Sequence, residues 1–332
     1  MFRYKVGMYS GCFNPLHLGH VDCIIKTAAM CERLYIVVDN SPARDVVSLE
    51  QKRAWLHAAT KHLPNIVIRE VETPNADKKD FDWDKGMADV MAACGEKLDV
   101  VFVGGDYKGT GIFERYFPDS EIYYLDRERF KISSTEIRKN PMKHWEMMPR
   151  VVQNDYVKKV VLVGTESCGK TTLAQSLART YNTSYVPEVG RDVTIEKGDY
   201  LNLLKDDYAE ILYRHKTAEL EQLSQANKVM FVDTEAVVTD YYYLLQFGER
   251  YDLAQAVIDE NKYDLWLYCE PDVEWVADGE RCFGEQEVRE RNNKLLKQML
   301  AEAGVKYMTI SGNYLERYEQ ACRLVDKLIK AV

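Results

Sequence analysis

The chain has no long apolar run, since no hydrophobic stretch approaches the roughly 20 residues that a membrane-spanning helix needs. It has no signal-peptide pattern either, because its first residues run directly into a candidate strand. None of the eight cysteines forms a C-x-x-C pair, which is typical of reduced thiols and argues against a disulfide framework or a zinc site. Positive charge is in deficit, with 44 Lys and Arg against 53 Asp and Glu and a formal charge of −9. These absences predict a soluble, cytoplasmic protein that binds neither membranes nor nucleic acid.

The length and the alternation of patterns predict two domains of one fold class. At 332 residues the chain exceeds one ordinary domain. In each half, short apolar stretches alternate with longer helical patterns, which favours a parallel sheet covered by helices on both faces. We therefore expect an α/β protein with two doubly wound parallel-sheet domains, residues 1–140 and 158–332, joined by a linker at 141–157. The predicted strands are 6–10, 34–38, 66–70, 100–103 and 122–125, then 160–163, 184–186, 229–233, 265–269 and 307–310. The predicted helices are 20–30, 49–62 and 83–93, then 170–181, 205–227, 236–247, 285–302 and 314–330.

The first candidate site lies at residues 11–20, which read GCFNPLHLGH directly after a predicted strand. A glycine turn between a strand and a helix aims backbone N–H groups and a helix N-terminus at an anion. His17 and His20 are three residues apart at the start of the helix, where their rings would face the α-phosphate of a bound nucleoside triphosphate. Positioned imidazole N–H groups can stabilise the charge that develops on a pentavalent phosphorus. A lone histidine here would be a helix-start residue with a backbone or solvent partner, but the complete motif favours catalysis.

A second segment of the first half suits the same anion. Residues 131–138 read KISSTEIR after the fifth predicted strand, and Ser133 with Glu136 has the spacing of a capping box. The serines could serve only as caps. A hydroxyl-rich helix start with Arg138 one turn further on is also a phosphate clamp.

The second candidate site lies at residues 164–171, which read GTESCGKT after another predicted strand. The segment fits the phosphate-loop pattern G-x-x-x-x-G-K-[ST] in full. Lys170 would contact the β- and γ-phosphates of ATP, and Thr171 would ligate Mg²⁺. Asp233 ends an apolar strand and would lie near the magnesium, unless it is an ordinary strand-terminal carboxylate. The other residues expected to hold ATP in this half are Gly164, Glu166, Ser167, Cys168, Gly169 and Thr172.

The acceptor of the second reaction is expected beside the second strand of that half. Either Glu188 or Asp192 could hold ribose hydroxyls or take the proton of a 5′-hydroxyl, and the sequence leaves the choice open. Arg281, flanked by glycines, is typical of a lid arginine that closes over transferring phosphates.

The first-half motifs together resemble the nucleotidyltransferases of the HxGH type. The stretch 49–56, LEQKRAWL, and the pair Asp82 and Trp83 are similar to one branch, the NadR family. In that family this domain joins ATP to nicotinamide mononucleotide (NMN), giving NAD and pyrophosphate. The loop 103–109, VGGDYKG, instead resembles that of cytidylyltransferases, so the choice between ATP and CTP stays open. The resemblance implies ATP binding by Gly11, Phe13, Asn14, His17, His20, Ser133, Ser134 and Arg138, and NMN binding by Asn14 and Trp83, which could alternatively be a core aromatic.

The second half resembles the ribosylnicotinamide kinase domain of the same family. Its Glu188-x-Gly-Arg191 element and the segment around Arg281 carry the likeness. The resemblance implies riboside binding by Glu188, Arg191 and Asp192, with Lys170, Glu188 and Asp233 in catalysis. The family's amino-terminal helix-turn-helix module has no counterpart in the ten residues before the first glycine turn.

The resemblance as a whole implies a bifunctional enzyme of NAD salvage. It would phosphorylate nicotinamide riboside and then adenylate the resulting NMN, with ATP as co-substrate and Mg²⁺ as cofactor in both steps. Its partners would be ATP, NMN, nicotinamide riboside and NAD, and a homo-oligomer is allowed. Two alternatives stay open: an adenylyltransferase and kinase of the coenzyme A pathway, and a nucleotide-sensing regulator with little turnover.

Overall fold

The computed structural model describes residues 2–73, 82–273 and 285–330, and its contacts divide the chain into two compact units, Met1–Asp155 and Tyr156–Val332. Within the described residues, no helix combines the length and the apolar character that crossing a bilayer requires.

The first unit is built on a parallel sheet whose described strands run in the order β3-β2-β1-β4-β5. Its strands are β1 Tyr4–Gly11, β2 Cys31–Asn40, β3 Ile66–Glu72, β4 Val100–Gly104 and β5 Glu121–Leu125. Its helices are α1 Leu18–Ala28, α2 Leu49–Thr60, α3 Trp83–Cys94, α4 Ile112–Tyr116 and α5 Ser134–Lys139, and α6 Arg150–Tyr156 closes it. The strand order reverses between β1 and β4, and such a reversal opens a crevice for ligands at the carboxyl ends of the strands.

The segment expected to be a linker differs from that expectation. The side chains of Met142, Trp145 and Met148 are buried, and Gln153 donates a hydrogen bond from Nε2 to the Trp145 carbonyl oxygen at 2.9 Å. Asp155, on α6, accepts a hydrogen bond from Trp55 Nε1 at 2.5 Å. The apolar side chains between the two prolines therefore draw residues 141–155 into the first unit, rather than leaving them as a separate connection.

The second unit is built on another parallel sheet, whose described strands run in the order β10-β9-β6-β8-β7. Its strands are β6 Lys158–Val163, β7 Tyr185–Val186, β8 Val229–Asp233, β9 Leu265–Cys269 and β10 Met308–Ile310. Its helices are α7 Lys170–Thr180, α8 Val189–Lys197, α9 Lys205–Leu223, α10 Ala236–Phe247, α11 Asp252–Glu260, α12 Gln286–Glu302 and α13 Tyr314–Lys330. The central strand β6 and its neighbour β8 are buried along their apolar runs, which is typical of a sheet covered on both faces.

The predicted fold class is confirmed, and the predicted strands each overlap a strand of the structure. The sequence analysis missed four of the described helices: α4, α6, α8 and α11. Helix α8 shows why, since few of its residues are apolar. It is held by Val189 and Val193, which pack in a cluster with Tyr208 and Ile211 of α9, and it ends at Gly198 with φ of 83°. Packing supplied by another helix is invisible in a local hydrophobic pattern.

Candidate active sites

Two stacked histidines form the centre of the first site. His17 is the N-cap of α1, where its Nδ1 accepts a hydrogen bond from the His20 backbone N–H at 3.3 Å. The two rings stack with 3.6 Å between centroids and 19° between planes. Because Nδ1 of His17 accepts, the proton of the neutral ring lies on Nε2. The expected alternative, a helix-start histidine with a backbone partner, therefore accounts for Nδ1 of His17 but not for the N–H at Nε2.

Burial keeps both rings neutral. It lowers the pKa of His17 to about 4, and the positive charge of Arg127 acts in the same direction. Burial lowers the pKa of His20 well below its usual value too, with His17 and Arg127 adding to the effect. His20 Nδ1 is buried and has no hydrogen-bond partner among the described residues. The pair can therefore donate N–H groups to a phosphate while neither ring carries a charge.

Packing explains the glycines and the phenylalanine of the motif. A Cβ on Gly19 would come within 3.0 Å of the His17 ring, and one on Gly11 within 3.0 Å of the Phe13 ring. Phe13 is fully buried and meets the His20 ring edge-on, with 5.0 Å between centroids. The Phe13 side chain therefore supports the histidines from the core, so contact with ATP could come only from its backbone.

Asn14 is held by a buried ionic network that the sequence analysis missed. Its Nδ2 donates to Asp45 Oδ1 at 2.9 Å, whereas its Oδ1 has no partner among the described residues. Asp45 is paired in turn with Arg44, at 2.8 Å, and with the fully buried Lys52. Burial would raise the pKa of Asp45, but its hydrogen bonds to Arg44 and Lys52 prevail and lower it.

Helix α5 docks on the histidine loop. The predicted capping box is present, with the Glu136 N–H on Ser133 Oγ at 3.2 Å and the Ser133 N–H on Glu136 Oε2 at 2.9 Å. Ser134 Oγ donates to the Pro15 carbonyl oxygen at 2.9 Å, and Arg138 donates to the Asn14 carbonyl oxygen. These contacts place the predicted clamp against the loop that bears His17.

The end of β4 lies close to the guanidinium group of Arg127. A Cβ on Gly104, the last residue of β4, would lie 2.8 Å from Arg127 Nη2, so a larger residue there would displace the end of this arginine side chain. The same guanidinium acts on the pKa of both histidines. Arg127, which no motif marked, therefore places positive charge where a triphosphate would bind.

Trp83 is the first residue of α3 and is 39% exposed, so the alternative reading as a core aromatic is wrong. Asp82 caps this helix by accepting from the Lys85 N–H at 2.9 Å.

The second site is a phosphate loop between β6 and α7. Gly164 and Gly169 have φ of 151° and 80°, and a Cβ on Gly164 would lie 2.6 Å from the Cys269 carbonyl oxygen, so glycine is required there. Ser167 also has a positive φ, of 58°. Lys170 Nζ donates to the Thr165 carbonyl oxygen at 3.0 Å. The loop lines a cavity of about 280 Å³ that holds most of the residues expected to bind ATP: Glu166, Ser167, Cys168, Gly169, Lys170, Thr171 and Thr172.

Cys168 contributes backbone rather than thiol to this cavity. Its side chain is 1% exposed, and Sγ donates to the Thr165 carbonyl oxygen at 3.0 Å. Contact with Cys269 and the charge of Lys170 lower the pKa of the Cys168 thiol. Its location in the core nevertheless turns the thiol away from any phosphate.

The buried carboxyl of Asp233 is close enough to Lys170, which lines the cavity, for each group to act on the pKa of the other. Asp233 is fully buried, and its burial together with the nearby Glu188 raises the pKa of this carboxyl to about 7. Burial opposes the charge of Lys170 as well, but the Cys168 thiol and the two carboxylates raise the pKa of the lysine. Lys170 is thus held as a cation, ready for the phosphates of ATP.

The residues expected to hold Mg²⁺ fit that ion. Asp233 Oδ2 is buried without a hydrogen-bond partner in the described part of the chain, and the side chain of Thr171, the second residue of α7, is close enough to act on the same carboxyl. Mg²⁺ keeps several waters and binds phosphate oxygens, so one carboxylate and one hydroxyl are enough protein ligands.

The structure separates the two candidate acceptor acids. Glu188 precedes α8 and lines the cavity, as does Arg191. Asp192 is exposed on the first turn of α8 and is not among the residues that line the cavity. Arg281 lies outside the described residues.

Two further contributors to the second site went unnoticed in the sequence. Arg317 of α13 is 2% exposed and donates to the carbonyl oxygens of Cys168 at 3.1 Å, Glu270 at 2.8 Å and Gly312 at 2.7 Å. It thereby ties the phosphate loop to the end of β9. The far wall of the cavity is aromatic and carries Tyr200, Tyr208 and Tyr242. A basic residue in an otherwise amphipathic terminal helix gives no local signal of such a role.

Comparisons with known proteins agree with the division of the chain into two units, each with its own site. A family model described as cytidylyltransferase-like matches residues 8–140, and one described as an AAA domain matches residues 159–317. The trifunctional NAD biosynthesis/regulator protein NadR of Escherichia coli (strain K12) is 29% identical over 344 residues, covering 98% of this chain and 84% of the relative.

Solved structures show the same likeness. A crystal structure of NadR protein in complex with NR has a TM-score of 0.82 and 26% identity, covering 99% of this chain and 96% of that one. A crystal structure of NadR protein in complex with NAD and AMP-PNP has a TM-score of 0.78 and 25% identity, covering 99% and 98%. Both similarities extend through the two phosphate-binding sites described above.

Proposed function

The chain is a homologue of the NadR proteins over nearly its full length, and from this premise we propose that it is a bifunctional enzyme of NAD synthesis. The second unit phosphorylates nicotinamide riboside with ATP, and the first transfers an adenylyl group from a second ATP to the resulting NMN. The observation that carries the proposal is that both phosphate-binding sites occur in a chain of which 98–99% is similar to NadR proteins.

In the kinase step, a riboside hydroxyl attacks the γ-phosphorus of ATP, the bond to the β-phosphate oxygen breaks, and ADP leaves. Lys170 stabilises the charge on the transferring group, since its ammonium is held among carboxylates at the floor of the cavity. The hydroxyl proton passes to a carboxylate, and Glu188 is the candidate that lines the cavity. Mg²⁺ would be held by Thr171 and Asp233 and would neutralise charge on the phosphates.

In the adenylyl step, a phosphate oxygen of NMN attacks the α-phosphorus of ATP and pyrophosphate leaves. His17 and His20 donate from neutral rings, and Arg127 and Arg138 add positive charge near the same position. Positioning and electrostatics suffice for this transfer, so a covalent intermediate with the protein is unnecessary. Asn14 and Trp83 are proposed to contact NMN.

The proposal is tested by incubating the protein with nicotinamide riboside, ATP and Mg²⁺ and identifying the products by mass. NMN should appear first and NAD second, with one ADP and one pyrophosphate formed for each NAD. Supplying NMN with ATP or with CTP decides the nucleotide preference of the first unit. If phosphopantetheine with ATP, or CTP with a sugar phosphate, turns over faster than NMN with ATP, the NAD assignment is wrong, while nucleotidyl transfer stands.

A further inference from the structure

The cavity of the second unit contains a histidine that the proposed mechanism does not use. His215, on α9, is partly buried and lines the cavity. Lys170 and Glu188, the residues proposed to act on the reacting groups, line the same cavity.

One contact determines which ring nitrogen carries the proton. His215 Nε2 lies 3.4 Å from the backbone carbonyl oxygen of Asp233. A carbonyl oxygen can only accept, so Nε2 is the donor. In the neutral ring Nδ1 therefore has a lone pair and no proton.

This Nδ1 has no hydrogen-bond partner among the described residues, and it is not sealed from solvent. An acceptor nitrogen in a cavity selects for a ligand that donates an O–H or N–H group there. The phosphates of ATP are acceptors only and do not meet that requirement. The donors of ATP are on its adenine and ribose, whereas the group that must lie beside Lys170 and Glu188 to react is an alcohol of the second substrate, which can donate its O–H.

We propose that His215 binds a ribose hydroxyl of the acceptor through Nδ1, while the Asp233 carbonyl holds its ring in the required tautomer. The contact rests on the proposed kinase function and extends it, because it makes a hydroxyl-bearing sugar part of what the site recognises. A site built to hydrogen-bond a hydroxyl discriminates against analogues that lack it.

Two substitutions of His215 test the roles of its two ring nitrogens separately. In His215→Gln the longer amide can still donate to the Asp233 carbonyl, but it leaves nothing at the position of Nδ1. In His215→Asn the shorter amide offers an oxygen near Nδ1 and loses the Asp233 contact. We expect His215→Gln to lower kcat/KM for nicotinamide riboside by about 3- to 10-fold with KM for ATP unchanged, and His215→Asn to retain more of this specificity.

The hydroxyl itself is tested with nicotinamide riboside analogues that lack the 2′- or the 3′-hydroxyl. With the analogue that lacks the bound hydroxyl, kcat/KM of the unsubstituted protein should fall by the same factor. The kcat/KM of His215→Gln should not fall further with this analogue, because the substitution and the missing hydroxyl remove the same interaction. Tyr213→Phe is the matched control, since Tyr213 is 65% exposed on the same helix.

The outcomes are distinguishable. If both His215 variants raise KM for ATP and for the riboside equally, the histidine only holds the Asp233 backbone and the inference is wrong. Full additivity of the variant with each deoxy analogue also overturns it. If the unsubstituted protein does not phosphorylate nicotinamide riboside at all, the proposed function fails, and the contact fails with it.

Discussion

At the scale of single residues, burial sets the protonation state of the groups that face phosphate in both units. It lowers the pKa of His17 and His20, so these rings are neutral donors. It raises the pKa of Asp233, whose carboxyl lies fully buried beside Lys170. These shifts are costs to the free protein that a bound nucleotide or cation would relieve, which is how functional sites commonly differ from the rest of a fold.

The two sites should be separable by single substitutions. Lys170→Ala removes the cation that stabilises the transferring phosphoryl group, and we expect a loss of ~10²–10³ in the rate of riboside phosphorylation, on the scale of a lost oxyanion donor. Adenylation of supplied NMN should persist. His20→Ala should slow the adenylation of NMN and leave riboside phosphorylation unchanged.

The measurement is the rate of each reaction with its own substrate supplied, together with circular dichroism to check folding. Each variant is the control for the other. Loss of both reactions in a folded Lys170→Ala protein would contradict the assignment of one reaction to each unit.

Asp233→Asn should abolish kinase activity yet stabilise the fold above neutral pH. An unfolded Asp233 ionises near its usual pKa of 3.8, whereas the folded one does so only at about 7. Its contribution to stability is therefore fully present below about pH 3.8 and is lost as pH rises through 7. At pH 8 the buried charge is a cost of about 2 kcal/mol or more, which asparagine avoids.

Thermal unfolding at pH 5 and pH 8 measures this effect. The gain in Tm over the unsubstituted protein should be larger at pH 8, and saturating Mg²⁺ with ATP should reduce it, since these ligands bind the native carboxylate. A variant that is equally destabilised at both pH values would show that Asp233 is needed for packing instead.

At the scale of elements, α5 and α13 are the helices that hold the phosphate-binding loops in place. Ser134 and Arg138 of α5 bind backbone carbonyl oxygens of the histidine loop. Arg317 of α13 binds the backbone of the phosphate loop at Cys168 and pairs with Asp272. In both units the helix lies near the carboxyl-terminal end of that unit's sequence, whereas the loop lies near its amino-terminal end. Each loop is therefore held by an element that is distant in sequence.

Arg317→Lys should raise KM for ATP in the kinase reaction and leave adenylation unchanged. Lysine retains the charge, but it lacks the planar fork that reaches three carbonyl oxygens at once. A lysine cannot make all three hydrogen bonds to these carbonyl oxygens, so a lower Tm is also expected.

Arg323→Lys is the matched control, because Arg323 is an exposed residue of the same helix. The two variants are compared by KM for ATP in each reaction and by Tm. Equal KM values in the two variants would mean that Arg317 does not shape the nucleotide site.

At the scale of the whole molecule, the net charge of −9 opposes binding to nucleic acid. Local positive charge at the two sites comes from a few residues, such as Arg127 and Arg138 in the first unit and Lys170 in the second. We expect no sequence-specific retention of promoter DNA at nanomolar protein in a gel-shift assay, with or without NAD. Retention that weakens with rising salt would contradict this prediction and would favour the regulatory alternative.

The sequence by itself determined the fold class, the strands and the two phosphate loops. A glycine turn between an apolar strand and a helix is a local feature, and every residue that it needs lies within about ten positions, as at Gly11 to His20 and Gly164 to Thr171. The capping box at Ser133 was likewise predicted, because caps depend on residues three apart. Resemblance to a family then supplied the substrates, which no spacing argument reached.

Only the tertiary structure decided which distant residues complete the sites. Arg127 and Arg317 carry no motif, and the fold brings Arg127 close to the histidine pair and Arg317 to the backbone of the phosphate loop. The sequence left Glu188 and Asp192 equivalent because they are only four residues apart, whereas in the structure Glu188 lines the cavity and Asp192 is exposed. Protonation states likewise required the fold, because a pKa depends on burial and on charges that the chain order does not place together.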